Sequence, residues 1–457
     1  MHYDAIIIGT GQAGPPLAGR MSEEGWKVAI VERKLAGGTC VNVGCIPTKA
    51  LVASARAAHM VRRAADFGVE LEGSFHVDMR RVKERMKAIS GESNRGVTRW
   101  LEGMDGVDFR RGHARLTGPG EVELDGERLT ADRVFLNVGA RATVPDMPGL
   151  DQVDYLTNTS MMEIDFLPEH LIVVGGSYIG LEFGQMYRRF GSEVTVIDRG
   201  DRVIKRDDED VSRVVQEVLE REGVRFRLGA ECLSALRRGE GVAVRASCGG
   251  DDLEVAGSHL LLAVGRTPNT HDLGLEAAGV EVDGRGFIRV DDELKTNVPG
   301  IWALGDCNGR GAFTHTSYND FEVVEANLFD GDPRRVSDRI LCYGLFTDPP
   351  LGRIGMTERE ARASGRRVLV GKRPMAKVGR ARERSETDGF IKILVDGDTE
   401  EILGAAILGV NGDEVVHALL DVMYARAPYT VISRAVHIHP TVAELVPTVL
   451  QDLQPLE

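Results

Sequence analysis

The run Gly37-Gly38-Thr39-Cys40-Val41-Asn42-Val43-Gly44-Cys45-Ile46-Pro47-Thr48-Lys49 carries two cysteines five positions apart. Pro47-Thr48-Lys49 reads as the first turn of a helix. The positive N-terminal end of a helix lowers the pKa of a nearby thiol and favours the reactive thiolate. Two thiols so placed can run redox exchange, form half of a zinc site, or stay inert. Zinc sites want closer pairs and a second pair elsewhere, and the sequence has none, so no metal centre is expected. Thiol exchange also needs a group to carry protons, and histidine has the right pKa for it. The remaining cysteines, Cys232, Cys248, Cys307 and Cys342, are scattered and read as free core or surface thiols.

The elements that must position these thiols are legible around them. Ala5-Ile6-Ile7-Ile8 is a short apolar run suited to a strand buried on both faces of a parallel sheet. Gly9-Thr10-Gly11-Gln12-Ala13-Gly14 follows, then a helix-like stretch, then Val28 to Val31 ending at Glu32. That order is a complete mononucleotide-binding unit. Gly9 permits the tight turn, Gly11 lets the backbone approach a pyrophosphate, Gly14 lets helix and strand pack, and Glu32 can accept from a ribose. The pattern recurs as Leu171 to Val174, Gly175-Gly176-Ser177-Tyr178-Ile179-Gly180, a helix-like stretch, and Val194 to Ile197 ending at Asp198. First glycine and acid are 23 residues apart in both copies. Two copies in full context imply two dinucleotide sites.

Ser177 stands where the middle glycine is usual. Its Cβ crowds the pyrophosphate, while its hydroxyl can donate to a phosphate. A carboxylate at Asp198 accepts from the 2′-hydroxyl of NADH and repels the 2′-phosphate of NADPH. Arg199 and Arg202 could hold that phosphate, which keeps NADPH as an alternative. Leu260 to Arg266 is another buried strand ending at a turn. Thr296 to Asp306 is an extended segment ending in Gly-Asp. From about Asp338, strand-like segments (Gly389 to Val395, Glu401 to Gly409) and a helix-like stretch (Glu414 to Ala425) suggest an antiparallel α+β module.

Bulk properties bound the rest. With 457 residues the chain can form two to four domains. A net charge of −14 argues against a nucleic-acid partner, which needs a basic surface. No apolar run approaches the ~18 residues of a spanning helix. The N-terminus lacks a basic leader, and six cysteines in so long a chain are not a secreted disulfide framework, so a cytoplasmic protein is expected.

The cysteine run, the two fingerprints and the Gly305-Asp306 segment together resemble the flavoprotein disulfide reductases. This is the class I pyridine nucleotide-disulfide oxidoreductase family of dihydrolipoamide dehydrogenase, glutathione reductase and mercuric reductase. The resemblance covers essentially the whole chain. It implies an α/β fold with two Rossmann-like domains and a C-terminal α+β dimerisation domain. The expected divisions are 1–148 for FAD and the redox disulfide, 149–268 for NAD(P)H, 269–337 for a return to the FAD domain, and 338–457 for the interface domain. Expected cofactor-binding residues are Gly9, Gly11, Gly14, Glu32, Thr39, Lys49, Gly139 and Asp306, with Gly175, Ser177, Tyr178, Gly180, Glu182, Asp198 and Gly265. Among these, Asp306 would hold the ribityl chain of FAD, Tyr178 would cover the nicotinamide pocket, and Glu182 would pair with Lys49 near flavin N5.

The same resemblance pairs Cys40 with Cys45 in a disulfide, with Cys45 against the flavin and Cys40 toward substrate. It also matches the run Ala435-Val436-His437-Ile438-His439-Pro440-Thr441-Val442-Ala443-Glu444, making His439 the acid–base group and Glu444 its partner. A carboxylate beside the ring orients it and raises its basicity. In the family this histidine comes from the other subunit, so a homodimer is expected. His437 reads as structural. The C-terminal half looks closest to the mercuric-reductase-like branch, with two departures. No cysteine follows Cys342, so the vicinal pair that shuttles mercury is missing, and His439 stands where that branch commonly has Tyr. The expectation is therefore an enzyme that passes electrons from NADH, with NADPH as the alternative, through FAD and the disulfide to a small disulfide substrate. The rivals are reduction of a soft cation such as Cu(II) or Hg(II), and a dihydrolipoamide dehydrogenase-like subunit of a complex.

Overall fold

The computed structural model describes residues 1–248 and 251–457. Its first sheet has seven strands. Val107–Arg111, Val28–Glu32, His2–Ile8 and Glu127–Leu136 lie side by side and parallel. Two antiparallel strands, Glu121–Leu124 and Ala114–Gly118, extend the sheet beyond Glu127–Leu136. The seventh strand, Ile301–Ala303, arrives from far along the chain and pairs parallel with Val134–Leu136. Ala5, Ile6 and Ile7 are fully buried, as a strand covered on both faces requires.

The second unit forms its own parallel sheet in the order Val224–Arg227, Glu193–Ile197, His170–Val174, His259–Leu262. Both fingerprints fold alike. Each first glycine has a left-handed φ, +104° at Gly9 and +119° at Gly175. A Cβ at either would run into a carbonyl oxygen of the neighbouring strand end, Asn137 and Ala263 respectively. Gly14 opens the helix Gly14–Glu23, and Gly180 lies in the first turn of the helix Tyr178–Phe190. A Cβ on each would meet the carbonyl oxygen of its own turn glycine. These glycines are required by close backbone approach.

The C-terminal segment is a six-stranded antiparallel sheet in the order Cys342–Leu345, Leu351–Gly355, Ile402–Leu408, Phe390–Asp396, Val368–Pro374, Gln454–Pro455. The helix Gly412–Tyr424 packs on it, with Val416 and Leu419 in a core shared with Ile393 and Ile407. The change of texture near Asp338 is thus a change to an α+β module. Among the described residues no helix is long and apolar enough to cross a membrane. Cys232 is exposed, Cys307 buried and Cys342 half-buried, all free thiols. The side chain of Cys248 lies outside the described residues.

One ionic cluster ties the second unit to the C-terminal sheet. Lys392 is 1% exposed, and its Nζ lies 2.9 Å from Asp208, 2.7 Å from Asp210 and 2.7 Å from Glu358. Arg353, Lys372 and Arg362 each pair with one of these acids, but Lys392 is the cation shared by all three, and removing it leaves like charges facing one another in a poorly hydrated place. Lys392→Ala is expected to lower stability by roughly 3–5 kcal/mol, read as a lower denaturant midpoint at pH 7. Part of the loss should return as the pH is lowered and the carboxylates take up protons.

Candidate active site

The cysteines sit at a break between two helices. Gly37 and Gly38 turn the chain with φ of +93° and +62° into the short helix Gly38–Asn42, which holds Cys40. Cys45 is the first residue of the next helix, Cys45–Arg62. Gly44 between them has no room for a side chain, since its Cβ would lie 2.8 Å from the Thr39 carbonyl oxygen. Asn42 donates to the carbonyls of Gly38 at 2.8 Å and Ala36 at 2.9 Å, and Asn94 from the helix Met79–Glu102 donates to Ala36 at 2.7 Å. Asn158 donates to the Val43 carbonyl at 3.1 Å. Behind the loop, Leu51 and Ala55 share a buried core with Leu181, Phe183 and Tyr187 of the second-unit helix.

Cys40 and Cys45 stand as neighbouring free thiols. Their protons are unequally held. The hydrogen bond from Cys40, the Thr314 hydroxyl and the charge of Lys49 bring the Cys45 thiol down to about 6, against the opposing effect of burial. The Cys40 thiol is pushed up by that same bond to Cys45 and by burial. Of the two sulfurs, Cys45 is the one whose surroundings favour the thiolate.

Lys49 Nζ is 2.7 Å from Glu182 Oε2 and 4.3 Å from the centre of the Phe346 ring. The other Glu182 oxygen accepts from the Phe346 amide at 3.0 Å. This places an ion pair from the two nucleotide units beside the thiols. Tyr178 donates to Asp207 at 2.9 Å, and Tyr343 donates to the other oxygen of Asp207 at 3.0 Å.

A continuous cavity of about 2080 Å³ connects these groups. Gly9, Gly11, Glu32, Thr39, Cys40, Cys45, Lys49, Gly139, Gly175, Ser177, Tyr178, Glu182, Asp198, Gly265 and Asp306 all line it. Gly14 and Gly180 stand behind its wall, in the helix starts. Each acid is held by two backbone amides. Glu32 accepts from the Thr10 amide at 3.0 Å and the Lys34 amide at 2.9 Å, and also from the Thr10 hydroxyl at 2.7 Å, and Asp198 accepts from the Gly176 and Gly200 amides at 2.5 Å each. A carboxylate has about four acceptor sites, so each acid retains capacity toward a ribose. Asp306 is paired with Arg266 at 3.2 Å, and burial raises its pKa. The glycine cradles, free acceptors and half-buried Asp306 suit a flavin dinucleotide in the first unit and a nicotinamide dinucleotide in the second.

Three placements were not legible in the sequence. Arg202 does not line the cavity; it pairs with Glu209 at 2.8 Å and donates to the Lys205 carbonyl at 3.2 Å. Arg199 and Arg206 line the cavity, as Asp198 does, and neither makes an ion pair among the described residues. Thr314 Oγ1 lies 3.0 Å from Cys45 Sγ, from a residue 269 positions away.

His439 and Glu444 are joined by 2.8 Å between Nδ1 and Oε2. They do not line the cavity. The His439 side chain is 80% exposed, next to Val436 and Ile438, which project fully or nearly so from the surface.

Two dinucleotide cradles opening on one pair of thiols define an electron-transferring oxidoreductase. The chain belongs to the pyridine nucleotide-disulphide oxidoreductases: the family model matches residues 3–320, and its dimerisation-domain model matches residues 342–450. The family consists of FAD-dependent enzymes that use NAD(P)H. The family resemblance and fold class read from the sequence are borne out. The chain is 34% identical over 455 residues to a probable pyridine nucleotide-disulfide oxidoreductase, RclA, of Escherichia coli K12, covering 97% of each chain. It is also 34% identical to a dihydrolipoyl dehydrogenase of Thermus scotoductus, covering 97% of this chain and 95% of the other. A mercuric reductase of Bacillus cereus is 34% identical over 91% of this chain and 66% of its own length. The solved structure of the HOCl-induced flavoprotein disulfide reductase RclA from Escherichia coli superposes with a TM-score of 0.90 at 33% identity, covering 98% of this chain and 100% of that one.

Proposed function

We propose that this enzyme reduces a small disulfide, with Cys40 as the attacking thiol, Cys45 as the sulfur on the flavin side, and His439 of a second subunit as the proton carrier. What carries the reading is a pair of thiols in the wall shared by both dinucleotide cradles, with the Lys49–Glu182 ion pair beside them. When bound in the first unit, FAD supplies a two-electron relay between nicotinamide and sulfur. Gly9, Gly11 and Gly14 would seat its pyrophosphate, Glu32 its ribose and Asp306 its ribityl chain. The Lys49–Glu182 pair fixes a positive charge beside the thiols.

Opening the Cys40–Cys45 bond takes two electrons and one proton. The sulfur–sulfur bond breaks, Cys45 keeps its electron pair as thiolate, and Cys40 carries the proton. Because Cys40 holds that proton tightly, it needs a base before it can attack. His439, polarised by Glu444, is suited to take the proton and to return it to the substrate's departing sulfur. Cys40 then forms a mixed disulfide with half the substrate. Cys45 attacks the Cys40 sulfur, restores the disulfide and releases the second half of the substrate as a thiolate, which takes its proton from water.

A homodimer supports this chemistry. The exposed apolar loop that carries His439 calls for cover, and its own chain gives the base no access to the cavity. In a two-fold dimer each cleft would combine thiols of one subunit with the base of the other. A cytoplasmic setting suits the free thiols.

NADH is the proposed donor, because Asp198 repels a 2′-phosphate. Arg199 and Arg206, rather than Arg202, are the cations placed to oppose it. Asp198→Ala should reduce the NADH-over-NADPH preference in kcat/KM by about tenfold, equivalent to about 1.4 kcal/mol. The ratio is the readout, since the variant also loses two amide hydrogen bonds. A wild-type preference for NADPH would overturn the assignment.

The deciding experiment is steady-state NAD(P)H oxidation against a panel of small disulfides, Cu(II) and Hg(II). Turnover with a disulfide that is lost in His439→Ala supports the proposal. Turnover only with the metal ions would replace it by soft-cation reduction. A Cu(II) complex has been solved for the Escherichia coli RclA relative, which makes copper the first cation to try.

A further inference from the structure

Thr314 is the first residue of the helix Thr314–Glu325. The residue just before it, Phe313, is the N-cap and has no hydroxyl or carboxylate to close the first turn. Here that work is done by Thr316, whose hydroxyl donates to the Phe313 carbonyl at 2.7 Å and accepts from the Phe313 amide at 3.1 Å. The Thr314 hydroxyl makes a single hydrogen bond among the described residues, to Cys45 Sγ at 3.0 Å. It is spare structurally and sits on a sulfur that must change charge.

We propose that Thr314 is a further catalytic residue, whose hydroxyl donates to Cys45 Sγ and holds it as the thiolate once the Cys40–Cys45 bond is opened. The inference rests on the reading of Cys40 and Cys45 as the redox pair. A hydroxyl gains little from a disulfide sulfur and much from a thiolate, because a hydrogen bond to an ionised acceptor is about twice as strong. Thr314 therefore favours the reduced state and fixes which sulfur leaves with the electron pair. Cys45 is also the first residue of its own helix, so two helix N-termini meet at this sulfur.

The charged and titratable groups facing Cys45 come from every side of the loop. Cys40 lies in the preceding helix, Lys49 one turn along its own, and Glu182 on the second-unit helix, bound to Lys49. His315 beside Thr314 is turned to the Cys342 carbonyl at 2.7 Å. In the proposed dimer the partner's His439 approaches from the remaining side. None of these groups is altered by changing Thr314.

The test uses the FAD-loaded Cys40→Ser protein, in which Cys45 is the sole thiol of the pair. Two titrations are run from pH 4 to pH 10: the long-wavelength absorbance of thiolate against flavin, and the rate of Cys45 alkylation by iodoacetamide. Adding Thr314→Val, which keeps the shape and deletes the hydroxyl, should raise both midpoints by about one pH unit, a tenfold smaller thiolate-to-thiol ratio. Thr314→Ser should restore the parent midpoint. Unchanged midpoints in Thr314→Val, or equal shifts in Val and Ser, would overturn the proposal. If Thr314→Val fails to retain flavin, the alkylation titration compared with flavin-stripped parent still decides. Absence of the absorbance band in Cys40→Ser itself would sink the assignment of Cys45 to the flavin side, while the alkylation midpoints would continue to report on Thr314.

Discussion

Cys40→Ser should leave the purified FAD enzyme with a new long-wavelength absorption band without any added reductant. The reason lies in the proton distribution between the two sulfurs. Freed from its disulfide partner, Cys45 is a permanent thiol whose pKa the structure holds down to about 6. A thiol with a lowered pKa is a thiolate above that value and takes up its proton below it. The band should therefore be strong at pH 8 and fade as the pH falls through about 6. The serine hydroxyl keeps a donor where the Cys40 thiol stood, so the midpoint should stay close. Cys45→Ser should show no band, because in the proposed assignment Cys40 lies on the substrate side and not against the flavin. Both variants should lose disulfide turnover almost completely, since the exchange needs both sulfurs. A band in Cys45→Ser and none in Cys40→Ser would reverse the two roles.

The second large effect separates the subunits. Cys45→Ala and His439→Ala homodimers should each be nearly inactive toward a disulfide, the latter by about 10²–10⁴-fold for loss of a general acid–base group. Unfolded and refolded together, half of the dimers should be mixed. Each mixed dimer carries one cleft with both lesions and one cleft with neither. Random assortment then returns about a quarter of wild-type activity from two inactive parents. No recovery, with subunit mixing demonstrated separately, would place the base within its own chain or remove His439 from the role.

What the sequence reveals and what it hides follow from distance along the chain. The fingerprints are legible because each is a strand, turn and helix within about 30 residues, and sterics force glycine at the turn and at the helix start. His439 and Glu444 are five residues apart, close enough for one motif to carry both. Contacts that cross between units leave no such trace. Thr314 meets Cys45 across 269 positions, and Asp207 meets Tyr343 across 136. Thr314 reads as an ordinary helix-start threonine, and only the fold shows that its neighbour Thr316 already does that work. The positions of Arg202, which the sequence offers beside Arg199, and of Arg206 were hidden for a different reason. Both lie in an irregular segment between Asp198 and the helix Glu209–Arg221, where no period says which side chain faces the cavity.

The strand Ile301–Ala303 sets the order in which the molecule can be built. It completes a sheet whose neighbouring strand ends at Leu136, so about 165 residues of chain separate the two partners. At a ribosomal rate of roughly 5–20 residues per second, that gap lasts on the order of 8–33 s. Throughout it, the nascent first sheet has an unpaired edge at Val134–Leu136. The four strands of the second unit are contained wholly within the intervening stretch and can pair as they emerge. The unit translated second is thus the first able to finish, and the flavin cradle, although its fingerprint is made at the start, closes only afterwards. Asp306 emerges with that same late strand. A ribosome stalled just short of Ile301, after the strand His259–Leu262 has emerged, should therefore display a nicotinamide-binding unit competent before the flavin site exists.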